Sequence, residues 1–168
     1  LVVATVFKSA VAEEIPVVVE PLLPVAKAIL ANTDVRTSAS VFCPATTLDV
    51  VTKEHKYLSG CILPGVKLSL NALCQGTAQL SSITIIKPKV AIGNDTTSNI
   101  RSGLYYGHLG AIKELKSRII EELGDEDIYT VATGGFANLF KDEGVFDEIS
   151  PDLILRGIRI AFLENSDS

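Results

Sequence analysis

The stretch IGNDTTSNIRSGLYYGHLGAIKELKSRIIEEL, Ile92–Leu123, predicts the longest helix of the chain, and Gly124 directly after it is a typical stop signal. The C-terminal half repeats apolar residues at helical spacing: Ile112, Leu115, Ile119, Ile120 and Leu123. The N-terminal half carries three glycines on one face: Gly103, Gly107 and Gly110. Each glycine inside a helix costs about 1 kcal/mol relative to alanine. This face therefore predicts either a groove for a neighbouring helix or the wall of a ligand site.

The composition is that of a globular protein, with 168 residues, 47% of them apolar, and a net charge of −5. This length suits one domain or two small lobes. The absence of a basic patch argues against a nucleic-acid partner, and no apolar run is long enough to span a membrane. No signal segment opens the chain, and the missing initiating Met indicates a processed, trimmed or partly recorded chain. We therefore expect a cytoplasmic protein.

Three cysteines, Cys43, Cys61 and Cys74, have a spacing that fits neither a zinc site nor a disulfide framework. They predict buried or half-buried thiols in a reducing cytoplasm. No other cluster with metal-ligand spacing is apparent, so we assign no metal-ligating residue.

The first forty residues predict an α/β unit with a parallel sheet, because strand and helix patterns alternate. The predicted elements are strand Leu1–Val6, helix Lys8–Glu14, strand Pro16–Val19 and helix Val25–Ala31. The polar segment Asn32–Arg36 that follows is typical of a loop.

The rest of the chain predicts a hairpin, two further strands and four helices. The hairpin joins Val41–Val51 to Tyr57–Leu63, and strands are predicted at Ile83–Ile86 and from Asp127 into Gly134-Gly135. Besides the long helix, helices are predicted at Val66–Gln75, Phe136–Lys141 and from Asp152 onward. The last of these starts at Ser150 and Pro151, and its predicted buried side is Leu155, Ile158 and Phe162.

Several motifs occur in the order in which the bacterial type III pantothenate kinases carry them, and the chain resembles that family from Val41 to Asn165. ATTLDVV resembles part of the family's phosphate-binding hairpin, and IGNDTTSNIRSGLYYG resembles its I-G-x-x-T and S-G-x-x-Y-G motifs. The other matching strings are GCILPGVKLSLNAL, GTAQL, the Thr-Gly-Gly turn at Thr133–Gly135, and DLILRGI at Asp152–Ile158. Taken alone, the turn is more typical of a tight structural turn than of a nucleotide site.

The resemblance implies an α/β fold, a ribonuclease-H-like lobe of the actin/sugar-kinase type with a mixed sheet flanked by helices. Residues 41–168 would form the C-terminal kinase-like lobe. Residues 1–40 would be a remnant of the first lobe, because nothing there matches the family's first phosphate-binding hairpin, D-x-G-N-T.

The implied activity is transfer of the γ-phosphate of ATP to the hydroxyl of pantothenate, the first step of coenzyme A synthesis. By resemblance, it requires Mg²⁺ and a monovalent cation, K⁺ or NH₄⁺. The residues implied to hold ATP are Thr46, Thr47, Thr133, Gly134 and Gly135. Catalysis of this kind depends mostly on positioning and charge stabilisation.

The resemblance also implies roles around pantothenate. Asp34 would accept the proton of the hydroxyl, with Arg36 and Gly65 binding the substrate. Thr96 would contact pantothenate from the neighbouring subunit of a homodimer formed through the Ile92–Leu123 region. From the residues alone, Asp95 or Thr96 is the expected cap of the long helix, and a helix N-terminus also favours an anion.

Three residues depart from the family's hairpin. Val41 stands where the family has an aspartate that helps place the cation, and Cys43 and Pro44 stand where it has Gly-Thr. Proline has no N–H, and the glycine and threonine that would approach a phosphate are absent. The alternatives are therefore a non-catalytic dimerising or regulatory module, or a fragment of such a kinase.

Overall fold

The computed structural model describes residues 2–5, 39–43, 45–52, 57–75, 83–124 and 128–166. The elements predicted between residues 8 and 36 lie outside these ranges, as do Asp34, Arg36 and Pro44 and the GTAQL string.

In this part of the chain six strands form one mixed sheet: β1 Val2–Thr5, β2 Ala39–Cys43, β3 Ala45–Val51, β4 Tyr57–Pro64, β5 Tyr129–Thr133 and β6 Glu148–Ile149. β3 is antiparallel to β1, β2 and β4, whereas β5 is parallel to β1, β2 and β6. β1 pairs with residues 49–51 of β3 and β2 with residues 45–46. The α/β class and the mixed sheet are confirmed.

The predicted hairpin is confirmed as β3 and β4, which pair from Ala45 opposite Pro64 to Val51 opposite Tyr57. The register shifts between Val50 and Val51, which leaves Leu58 as an extra residue on β4. Such a bulge increases the local twist and re-aims the side chains beside it. The part of the prediction that ran one strand from residue 41 is corrected, because β2 and β3 are separate antiparallel strands.

Three α-helices and one 3₁₀ helix are described: α1 Val66–Gln75, α2 Thr96–Leu123, the 3₁₀ helix Ala137–Glu143 and α3 Leu153–Ser166. Both ends of α2 are formed by capping residues that the sequence predicts. Asp95 is the N-cap and accepts a hydrogen bond from the Ser98 backbone N–H at 2.8 Å, while Gly124 ends the helix at φ 61°. The short helix predicted at Phe136–Lys141 is present in 3₁₀ form.

One face of the sheet is covered by α2. Leu48 and Val50 are buried there against Leu115, Ile119 and Leu123 of the predicted amphipathic half. Farther along α2, Tyr105 and Phe140 are fully buried, with ring centroids 5.2 Å apart. The same core takes in Val66 and Leu70 of α1 and Ala132 of β5.

The strand predicted at Ile83–Ile86 is wrong. The segment has the alternating burial of an extended chain, with Ile83 and Ile85 packed on the core, but its backbone pairs with no described strand. Side chains of α2 instead bind this segment and the residues that follow it. The carbonyl of Thr84 accepts a hydrogen bond from Arg101 Nε at 3.0 Å, and the carbonyl of Ala91 accepts one from the Ser102 hydroxyl.

The predicted buried side of α3 is wrong at Leu155 and Phe162, and the side chain of Ile158 lies outside what the structure describes. Leu155 and Phe162 are each 69% exposed, whereas Leu153 is 4% exposed and Gly157 is buried. Residues 153, 157 and 160 form one stripe at helical spacing, and Leu155 lies about 200° around the helix from Leu153. Because α3 itself carries apolar residues on all of its sides, the sequence pattern does not show which side is buried.

The glycine face of α2 is open. A Cβ atom built on Gly103, Gly107 or Gly110 would meet no heavy atom within 4 Å. Tyr106 beside them is 39% exposed. In the described residues no helix is long and apolar enough to cross a membrane.

Candidate functional site

Three segments that carry predicted site residues meet at one edge of the sheet. β2 ends at Cys43 and β3 begins at Ala45, whose partner on β4 is Pro64, the residue before Gly65. β5 runs parallel to β2 and ends at Thr133 on the same edge. The glycine pair after Thr133, the end of β2, the beginning of β3 and the start of α1 therefore lie at this common edge, which we call the glycine edge.

Thr46 and Thr47, predicted together as ATP-binding residues, lie on opposite faces of the sheet because successive side chains alternate along a strand. Thr46 is on the helix-covered face, fully buried, and its Oγ1 has no hydrogen-bond partner in the described part of the chain. Thr47 is half-buried on the other face. Thr46 pairs with Phe42 of β2, whereas Thr133 pairs with Val41, the neighbouring position. Of the two threonines, Thr47 is therefore the one that shares a face with Thr133.

A buried carboxylate accepts hydrogen bonds from two hydroxyls on the Thr47 face. Asp49 is 5% exposed, and its Oδ2 accepts a hydrogen bond from Thr47 Oγ1 at 2.8 Å. Its Oδ1 accepts one from the Tyr57 hydroxyl at 2.9 Å. Burial raises the pKa of Tyr57, and the charge of Asp49 raises it further, so the phenol keeps the proton that it donates.

The sequence marks Asp49 only as a match to the hairpin motif, and Tyr57 not at all. An acidic residue inside an otherwise apolar strand was the available signal for Asp49. The contact with Tyr57 depends on the register shift at Leu58, which no sequence pattern reveals.

The Thr133–Gly135 turn is open toward solvent. Thr133 is fully buried, and its Oγ1 has no hydrogen-bond partner among the residues described. Gly134 has φ 94°, a conformation that side chains rarely adopt, and its carbonyl accepts a hydrogen bond from the Ala137 N–H at 3.1 Å. A Cβ on Gly135 would meet nothing within 4 Å. The turn thus leaves its backbone accessible, as a nucleotide-binding turn requires.

Thr96 lies at the exposed N-terminus of α2, away from the glycine edge. The capping box of Asp95 and Ser98 fixes this end, and the backbone N–H of Ser98 lowers the pKa of Asp95. Gly93 is required beside it, since a Cβ there would lie 2.6 Å from the Ser98 and Asn99 side-chain oxygens. The helix contacts the edge through His108, twelve residues farther on, which is about 18 Å along the axis. Thr96 and the glycine edge of one chain are therefore far apart.

His108 joins the glycine half of α2 to the segment that contains Gly65. Its Nε2 lies 2.8 Å from the carbonyl oxygen of Pro64, and the ring is buried. The ring is therefore packed inside the fold rather than solvated. Gly65 is itself buried, and its carbonyl accepts the Ser69 N–H at 2.9 Å at the start of α1.

We expect His108→Gln to remove part of the acid sensitivity of the fold. Burial lowers the pKa of His108, and nearby backbone carbonyls only partly offset this. Below the unfolded pKa of about 6.5, the unfolded chain therefore binds more protons than the folded one, and the free energy of unfolding falls with falling pH. Urea midpoints at about pH 8 and pH 5 measure this loss. His55→Gln is the matched control, and an equal effect of both variants would contradict the assignment to His108.

Two thiols are as predicted. Cys61 and Cys74 are both half-buried. Burial raises the pKa of Cys61, and the charge of Asp49 adds to the shift. A protonated, half-buried thiol is a packing group rather than a nucleophile.

Within the described ranges no group of three or more His, Cys, Asp or Glu side chains could hold a metal ion. Asp49 already accepts two hydroxyl hydrogen bonds through its two oxygens. A cation at the glycine edge would therefore depend on neutral oxygens and on the oxygens of a bound ligand, a pattern common for Mg²⁺ beside phosphates.

The sequence profile of the type III pantothenate kinase family matches residues 29–118. A type III pantothenate kinase 1 from Francisella tularensis subsp. tularensis is 75% identical over 122 residues, which are 73% of this chain and 47% of that protein. A type III pantothenate kinase from Legionella pneumophila is 48% identical over 126 residues, 74% of this chain and 49% of that protein. The chain thus spans about half the length of the curated relatives it matches.

Among solved structures, the crystal structure of a Baf family transcriptional activator from Campylobacter jejuni has a similar fold. The TM-score is 0.58 at 18% identity, covering 86% of this chain and 65% of that one. At this identity the likeness concerns the fold alone.

Proposed function

Because the chain belongs to the type III pantothenate kinase family, we propose that it serves the transfer of the ATP γ-phosphate to the hydroxyl of pantothenate, the first step of coenzyme A synthesis. The observation that carries this proposal is the glycine edge. There the fold brings together the segments that match the family's hairpin, its Pro-Gly helix start and its Thr-Gly-Gly turn.

ATP would bind along the glycine edge. The Thr133 hydroxyl is buried without a partner in the described residues, and the Gly134-Gly135 backbone is open. Both features fit a nucleotide, since a bound ligand would satisfy the hydroxyl and approach the backbone closely. Mg²⁺ and K⁺ or NH₄⁺ would supply positive charge against the phosphates. The other proposed ATP-binding residues are Thr47, on the same face of the sheet as Thr133, and Thr46, on the opposite face.

Pantothenate would lie between the glycine edge and a second subunit. Gly65 is at that edge, and Asp34 and Arg36 are proposed as base and substrate clamp by their match to the family. Thr96 is about 18 Å along α2 from the contact with the edge, so it fits a role in the partner's site better than in its own. The open glycine face of α2, with Tyr106 beside it, is the proposed homodimer contact.

The proposed architecture is an actin/sugar-kinase lobe at residues 41–168 with a first-lobe remnant at residues 1–40, in a cytoplasmic enzyme. The mixed sheet and the likeness to the Baf family structure support this fold. The affinity for ATP phosphates depends on the three residues that depart from the family's hairpin. Val41 takes away a carboxylate, Cys43 takes away a glycine, and Pro44 takes away a backbone N–H donor.

The test is an ATP- and pantothenate-dependent phosphorylation assay with Mg²⁺ and K⁺, alongside the intact mass of the purified protein. Asp34→Asn should lower turnover by about 10²-fold or more while leaving ATP binding in place, since it removes the general base. Absence of both turnover and ATP binding would overturn the proposal in favour of a non-catalytic dimerising module.

Subunit mixing tests the shared site. Thr96→Ala and Asp34→Asn proteins, each nearly inactive, should regain activity when mixed, because one of the two sites in a mixed dimer then has both native residues. A mixture that stays as inactive as its components contradicts a Thr96 contribution from the partner.

A further inference from the structure

The peptide bond between Pro64 and Gly65 lies at the entry to α1, in the segment that we propose to bind pantothenate. β4 ends at Pro64 opposite Ala45, and the Gly65 carbonyl accepts the Ser69 N–H at 2.9 Å, the bond that starts α1. Proline has no N–H, so Pro64 contributes only its carbonyl to hydrogen bonding. The passage from strand to helix thus depends on the direction in which this one carbonyl points.

This peptide plane is weakly restrained by its own residues. It is flanked by ψ of Pro64 and φ of Gly65, and glycine accepts a wide range of φ because it has no Cβ. A half-turn of the plane reverses the carbonyl and the N–H while the two Cα atoms barely move, as between type I and type II turns. A bond from outside the segment is therefore needed to keep one orientation.

His108 of α2 supplies such a bond. Its Nε2 lies 2.8 Å from the Pro64 carbonyl oxygen, and the residue is 8% exposed. The described residues contain no cis peptide bond, and in a trans peptide the carbonyl and the N–H point in opposite directions. Because the Pro64 carbonyl points toward His108, the Gly65 N–H points away from α2.

The proton of the neutral His108 ring belongs on Nε2. The ring has backbone carbonyls beside it from both Pro64 and Leu104. Leu104 lies four residues earlier in α2, so its carbonyl already accepts the backbone N–H of His108. The Pro64 carbonyl lies outside the helix. The tautomer that donates from Nε2 to Pro64 therefore satisfies more of the backbone than the other one.

We infer that His108 is a positioning residue, which donates from Nε2 to the Pro64 carbonyl, holds the Pro64–Gly65 peptide in one orientation and so sets the affinity of this segment for pantothenate. The effect on pantothenate rests on the proposed function, whereas the orientation of the peptide does not.

Nitrogen-15 NMR of the folded protein tests the orientation without any ligand. At about pH 8 the His108 ring is neutral, because the ordinary pKa is about 6.5 and burial lowers that of His108. The chain has two histidines, so His55→Gln assigns the ring signals. We expect the proton on Nε2. His108→Leu should shift or split the backbone amide signal of Gly65, and His108→Gln should keep it near its native position, since its NH₂ group can still donate.

Pantothenate titrations of the same proteins test the effect on the ligand. We expect His108→Leu to weaken binding by at least about tenfold and His108→Gln by less than about threefold. In the phosphorylation assay the loss should be in the KM for pantothenate rather than in kcat, as for lost ground-state binding. Leu115→Ala is the matched control. It truncates a side chain of α2 that packs on Leu48 and Val50, so it should lower the urea midpoint and leave pantothenate affinity unchanged.

A native ring with its proton on Nδ1 overturns the inference. So does a Gly65 amide signal that His108→Leu leaves unchanged, or an equal loss of pantothenate affinity in His108→Leu and His108→Gln. The phosphorylation assay decides the proposed function separately. The expected NMR signals without pantothenate binding or turnover contradict the kinase proposal and support the orientation by His108. Turnover with an unchanged KM in His108→Leu contradicts the role of His108 alone.

Discussion

Replacing Gly60 by alanine is expected to lower the free energy of unfolding by about 3 kcal/mol or more, the upper range for forced overpacking. A Cβ on Gly60 would lie 1.8 Å from the carbonyl oxygen of Leu48, 2.8 Å from its carbonyl carbon and 2.9 Å from the Asp49 Cα. All three are backbone atoms of β3, and no rotamer change can relieve the clash. The strands must separate or slip, and either change moves Asp49 away from Thr47 and Tyr57.

Urea unfolding measures the loss, and Gly110→Ala is the control. A Cβ on Gly110 meets no heavy atom within 4 Å and lies inside a helix, so alanine should raise stability by up to about 1 kcal/mol. The same chemical change is thus expected to act in opposite directions. A Gly60→Ala protein as stable as the native one would show that β3 and β4 do not approach each other as closely as described.

The parts of the fold that follow from sequence are those set by local chemistry. Asp95 and Gly124 delimit α2 because one side chain accepts a hydrogen bond and one residue adopts a left-handed conformation. The β3–β4 hairpin follows from apolar strand patterns on either side of a polar turn. These features need no knowledge of the rest of the molecule.

The features that sequence does not predict depend on neighbours. Ile83–Ile86 has strand composition, but the carbonyl of Thr84 accepts a hydrogen bond from the Arg101 side chain of α2 rather than from a strand. The buried side of α3 is set by where the helix meets the core, since apolar residues occur all around it. Local propensity is overridden in both segments by tertiary contacts.

In the candidate site, too, some features follow from local sequence and others depend on neighbouring elements. Thr133, Gly134 and Gly65 could be named from motifs, and the sheet brings their segments to one edge. Thr46 and Thr47 were grouped by sequence adjacency, although strand alternation alone separates them onto two faces. The hydrogen bond between Asp49 and Tyr57 depends on the register of β4, which no sequence pattern reveals. The roles of Asp34 and Arg36 stay predictions.

Phe140→Ala is expected to lower the free energy of unfolding by about 3–5 kcal/mol, the cost of truncating a buried aromatic side chain. Phe140 is fully buried, and its ring lies 5.2 Å from that of Tyr105 of α2. It belongs to the 3₁₀ helix that directly follows the Thr133–Gly135 turn. The ring therefore anchors the turn to the long helix, and a cavity there should loosen the turn as well as the core.

Two readouts separate these effects. Urea midpoints give stability, with Phe162→Ala as the control because Phe162 is 69% exposed and should cost far less. ATP affinity, measured where both proteins are folded, gives the effect on the turn, and we expect it to fall for Phe140→Ala alone. Equal stability losses at the two positions would contradict the described core. A large loss at Phe140 with unchanged ATP affinity would mean that the positive φ of Gly134 and its contact with Ala137 suffice to hold the turn, since those features lie within the turn itself.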